Sequence, residues 1–112
     1  YLFYGKKQEC FYCLYVDKLR HLITTKLLFM GTMERSSVHP REIFKEAYKV
    51  SATGIICIHN HPSGVVLPSK KDIEFTNDLI NLGNFHGIYI LDHLIVSENK
   101  YFSFVENKNK DN

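Results

Sequence analysis

The chain has 112 residues, 45% of them apolar, and a formal charge of +2. That length carries one hydrophobic core and leaves no room for a second, and so weak a charge lacks the basic footprint of a nucleic-acid-binding domain. No apolar stretch approaches the ~20 residues that span a bilayer, and no signal-peptide pattern is present. Three cysteines are too few, and odd in number, for a disulfide framework, which points to a reducing, cytoplasmic setting.

The chain starts at Tyr1 and enters patterned sequence almost at once, as a single domain excised from a longer protein does. Its expected core runs over 6–105, with 106–112 a polar, frayed tail. Tyr1 to Gly5 is aromatic, a strand or the remnant of a preceding element. Cys10 to Val16 (CFYCLYV) is continuously apolar and predicts a covered strand. Asp17 to Arg20 is a hairpin turn without the Asn-Gly or Asp-Gly signature, and a partner strand follows from about His21 to Met30, with Gly31 a break or bulge. Thr32 to Val38 reads as polar connection. His39-Pro40 opens a helix whose apolar stripe is Ile43, Phe44, Ala47 and Tyr48, with Val50 near its end. Ile55 to Ile58 is a buried strand, and a second helix runs from the Pro68-Ser69 punctuation to about Phe85, with Gly87 as its stop. Ile88 to Val96 is another strand and Tyr101 to Val105 a short last one. Strands interleaved with helices behind a leading hairpin predict an α/β domain, a mixed sheet flanked by helices.

The chemistry gathers in Gly54 to Asp72, GIICIHNHPSGVVLPSKKD. In an extended chain residues i and i+2 share a side, so His59 and His61 present both imidazoles to one point. With the carboxylate of Asp72 they make a three-ligand set that leaves a zinc position open for water. Ser69 and Asp72 also have a plainer reading, S-x-x-D before an apolar helix being a capping box. The two readings are compatible, because a carboxylate in a first helical turn is held rigidly and can face the preceding loop. Cys10-x-x-Cys13 looks like a metal or redox motif, but positions i and i+3 of a strand face opposite sides, so buried structural cysteines are expected. Cys57 shares the side of His59 and by default packs in the core. Asp92 and His93 are adjacent in a strand, so only one of them reaches the side of the site, as a partner that orients a ligand histidine or as part of a buried pair. The pattern H-x-E with P-C-x-x-C of zinc deaminases is absent.

The string His59-Asn60-His61-Pro62 followed by Ser69-x-x-Asp72 resembles the JAMM signature of the JAB/MPN metalloprotease superfamily. HNHPSG with PS and D, preceded by Gly31-Thr32 and His39-Pro40-Arg41-Glu42 and followed by Asp92-His93, resembles the RadC family from about Glu9 to Ser103. The resemblance implies a cytidine-deaminase-like three-layer sandwich, with Zn2+ held by His59, His61 and Asp72. It also implies a first-strand glutamate that handles the water. That residue is Glu9, which position alone does not separate from Glu34 or Glu42. Glu9 is then the proton carrier and Ser69 the donor to the oxyanion. The implied activity is zinc-dependent hydrolysis of a peptide or isopeptide bond in a peptide or protein substrate. The alternatives are a non-catalytic MPN-like binding module and a DNA-repair-associated domain, the latter suggested by the family name and unsupported by charge. His39 and Arg41 fit a helix cap and a structural ion pair. Oligomeric state is left open, with a homodimer among the arrangements allowed.

Overall fold

The computed structural model describes residues 8–31 and 38–110. The expectations for Tyr1 to Gly5, for most of the Thr32–Val38 connection and for Glu34 lie outside the described residues. Five strands form one mixed sheet in the order β2-β1-β3-β4-β5. β1 (Glu9–Val16) and β2 (Leu22–Gly31) make the expected antiparallel hairpin. Its turn needs no Asn-Gly because Asp17 Oδ1 accepts from the N–H groups of Leu19 and His21, while Arg20 takes a left-handed φ of 71°. β3 (Gly54–Asn60) runs antiparallel to β1 and parallel to β4 (Tyr89–Val96), and β5 (Tyr101–Ser103) closes the far edge antiparallel to β4.

Helix α1 (Pro40–Lys49) follows His39, which stands at the N-cap without a side-chain capping bond; Pro40 opens the helix instead. Ile43, Phe44 and Ala47 are buried as the stripe predicts, but Tyr48 is 57% exposed. The stripe is narrower than predicted because Tyr48 turns outward, its hydroxyl 2.6 Å from His86 Nδ1. Glu46 joins the buried side, its carboxylate 3.1 Å from Lys26 Nζ, which ties α1 to β2. α1 packs with helix α2 (Lys70–His86) on one core that takes Phe11, Cys13 and Tyr15 from β1 and Ile55 and Cys57 from β3. These are alternate residues of each strand, one face of the pleat. The Tyr15 hydroxyl donates to Ile43 O at 2.8 Å and fastens sheet to helix.

α2 ends at Gly87 (φ 72°), as expected, its N–H bonded to Gly83 O. Gly83 is fixed by space: a Cβ there would lie 2.3 Å from Ile88 O. The cysteines follow the strand argument. Cys13 Sγ lies 3.9 Å from Cys57 Sγ in the core, Cys10 faces the other way, and all three are free thiols.

The end of the chain differs from expectation. The last strand stops at Ser103 rather than Val105, and Phe104–Lys110 is helix α3 where a frayed tail was predicted. The cause is distant in sequence. Asp92 accepts from the Ser103 hydroxyl at 2.6 Å and from Val105 N–H at 3.1 Å, and Ser103 Oγ in turn accepts from Glu106 N–H. Two side chains thus satisfy the first donors of α3.

Candidate metal centre

The parallel pairing of β3 with β4 and the antiparallel pairing with β1 set His59 between Phe11 and Ile95 at the end of β3. His61 lies one residue past the strand, but its N–H still reaches Val96 O at 3.2 Å, so the sheet carries both imidazoles. A tight turn then reverses the chain: Gly64, at φ 91°, donates to His61 O at 2.9 Å, and Val65 O comes to 2.7 Å from His61 Nδ1. The loop returns at Ser69, the N-cap of α2. Ser69 Oγ accepts from Asp72 N–H at 3.0 Å, and Asp72 Oδ2 accepts from Ser69 N–H at 2.9 Å. The capping box is therefore real, and it aims the carboxylate of Asp72 at the histidines.

Three ligand-type groups converge. His59 Nε2 and His61 Nε2 are 3.1 Å apart, Asp72 Oδ1 is 3.6 Å from His59 Nε2, and Asp72 Oδ2 is 3.4 Å from His61 Nε2. All three residues are buried. Ligand atoms at 2.0–2.2 Å from a tetrahedral zinc stand about 3.3–3.6 Å from one another; the two ring nitrogens lie near that spacing and each meets one Asp72 oxygen at it, so the donor set is one that a metal ion fits. Among the described residues, these three are the group of His, Cys, Asp and Glu side chains that could hold a metal ion. The hydrogen bond to Asp72 raises the pKa of His61, burial opposes it, and the Val65 carbonyl and the charges of Asp72 and Glu9 add to the rise.

Glu9 opens β1 and is 1% exposed. The register sets Phe11 opposite His59, and carried two residues on it sets Glu9 abreast of His61, whose ring feels the Glu9 charge. A carboxylate at that depth is costly unless compensated, which separates Glu9 from Glu42, exposed on α1. Ser69, at the N-cap of α2, is solvent-exposed.

Sequence reasoning missed Asn60. Its side chain faces away from His59 and His61, Oδ1 accepting from Cys10 N–H at 2.6 Å and Nδ2 donating to Gln8 O at 3.0 Å. One amide thus grips the backbone on both sides of Glu9. No local signal announces this, because it depends on the β1–β3 pairing. Of the adjacent pair on β4, His93 reaches the site, its Nε2 2.8 Å from His59 Nδ1, while Asp92 serves α3.

A mixed sheet whose central strand ends in two converging imidazoles, completed by a helix-capping aspartate, is the arrangement of a JAB-type domain. The chain matches the family described as RadC-like JAB domain over residues 1–110. It is 48% identical over 99 residues to the UPF0758 protein YsxA of Bacillus subtilis (strain 168), covering 88% of this chain and 43% of that protein. It is 46% identical over 100 residues to a UPF0758 protein of Bacillus cereus (strain Q1), covering 89% and 44%. The chain belongs to the RadC family of JAB domains. It spans less than half the length of these relatives.

Proposed function

We propose that this domain is a zinc-dependent hydrolase that cleaves a peptide or isopeptide bond in a protein substrate through a metal-activated water. The observation that carries the reading is the convergence of His59 Nε2 and His61 Nε2, 3.1 Å apart, on the Asp72 carboxylate, whose Oδ1 and Oδ2 lie 3.6 and 3.4 Å from them respectively. Zinc, when bound there, supplies Lewis acidity and a water that ionises near neutral pH. Glu9, a buried carboxylate abreast of His61 in the sheet register, takes the proton of the attacking water and hands it to the leaving amine. Asn60 fixes the backbone from which Glu9 projects. Ser69 Oγ is an acceptor from Asp72 N–H, which leaves the hydroxyl hydrogen to donate to the oxyanion that develops on the attacked carbonyl, worth about 3 kcal/mol in comparable donors. The free, buried thiols fit a reducing compartment, and among the described residues no helix is long and apolar enough to cross a membrane.

The test is the metal content of protein prepared without chelator, followed by turnover of a panel of peptides and isopeptides with and without zinc. One zinc per chain, with metal-dependent cleavage lost in Glu9→Gln, is the expected result. Absence of stoichiometric metal overturns the reading. Stoichiometric metal without turnover on any member leaves a metal-holding binding module instead.

A further inference from the structure

Behind His59 lies a second buried imidazole that the proposed chemistry does not use. His93, on β4 opposite Cys57, is 1% exposed. Its Nε2 is 2.8 Å from His59 Nδ1, its Nδ1 is 2.5 Å from Thr76 Oγ1, and Thr76 Oγ1 is 2.7 Å from Asp72 O. The ring planes are held by aromatic neighbours, Phe11 stacked on His59 and Phe104 on His93.

The direction of every proton in this row follows from its far end. A backbone carbonyl only accepts, so the Thr76 hydroxyl hydrogen points to Asp72 O. A hydroxyl has one hydrogen, so toward His93 the Thr76 oxygen accepts and His93 Nδ1 carries the proton. A neutral imidazole has one N–H, so His93 Nε2 offers a lone pair and His59 Nδ1 must donate to it. His59 Nε2 then carries the lone pair, turned to His61 and Asp72. His61 reaches the same state more simply, through the Val65 carbonyl. The His59 solution needs Thr76, because an imidazole behind an imidazole can be ordered either way, and the reverse order puts the His59 proton into the centre of the site.

We propose that His93 and Thr76 are positioning residues that hold His59 in the Nδ1–H tautomer and thereby set the affinity of the site for zinc. The row starts on the carbonyl of Asp72 and returns to its carboxylate, so one ligand residue orders the other. This inference rests on the metal reading above, and its test separates the two. Histidine ring 15N shifts of the metal-free protein give the tautomers, and competition with a chromophoric chelator gives zinc affinity for wild type, Thr76→Val, Thr76→Ser, His93→Phe and His93→Gln. The expected result is Nδ1–H for His59 and His93 in the wild type and in Thr76→Ser, a mixture in Thr76→Val, and zinc binding weakened about 10–100-fold in His93→Phe and Thr76→Val. His93→Gln, whose amide can accept from His59 and donate to Thr76, restores part of the loss. Wild-type zinc binding with unchanged affinity in both Thr76→Val and His93→Phe overturns the inference and leaves the metal reading standing. An Nε2–H tautomer of His59 in the wild type overturns it too. A wild type that takes up no zinc overturns both.

Discussion

Asn60 stands between two metal-ligand candidates yet does its work on the opposite side of the strand, gripping Gln8 O and Cys10 N–H around Glu9. Replacing it with Ala strands a buried backbone N–H, a loss of about 1–3 kcal/mol, to be read as a lower urea midpoint. Because the ligands themselves are untouched, zinc content should hold while turnover falls, a split that metal analysis and kinetics on one preparation resolve. His61 gives a pH prediction. Its hydrogen bond to Asp72 raises its pKa in the metal-free fold above the ordinary 6.5. The stabilisation is fully present below the unfolded value and is lost as pH rises through the folded one. Metal-free protein should therefore lose stability as pH climbs from about 6.5 through the raised value. Zinc-loaded protein, in which the proton is displaced, should lack that decline; urea midpoints across the range check both.

At the scale of elements, α3 is the surprise. It is held by Asp92 and Ser103 and in turn lays Phe104 against His93 at a ring separation of 4.9 Å. Asp92→Ala removes an acceptor at the helix start, a cost of about 0.5–2 kcal/mol. The expected signature is early amide exchange confined to 104–110, with a smaller drop in zinc affinity as the His93 ring loosens. The sequence could not announce this helix: Glu106 to Asn112 is polar, and the capping carboxylate is eleven residues before Ser103. By contrast, the candidate ligand trio was legible, because H-x-H fixes two side chains on one side of a strand and S-x-x-D fixes a helix start. The strands and first two helices were legible for the same reason, each carrying a local period and local stops. Glu9, Asn60 and Thr76 were beyond local reading, since their roles exist only through strand register and helix packing; Glu9 was reached through family resemblance alone.

Taken whole, the molecule closes its candidate site from β1, β3, β4, the 61–69 loop and α2, so a metal ion there binds the assembled sheet and has no equivalent in the open chain. Zinc at a free concentration one hundred times its Kd should stabilise the fold by about 2.7 kcal/mol. A chelator should lower the melting temperature of the wild type and leave that of Asp72→Asn unmoved. The pleat of β3 has a last consequence, for inheritance. Loss of a single codon between Gly54 and His59 would leave every letter of the HNHP string intact and the gene in frame. It would nevertheless turn both imidazoles to the back of the sheet and swing the Asn60 amide to the front, so the ligands and the grip on Glu9 would vanish together. Length in this strand therefore matters as much as identity, and a search for working variants should find substitutions at Ile56 or Ile58 long before it finds a deletion there.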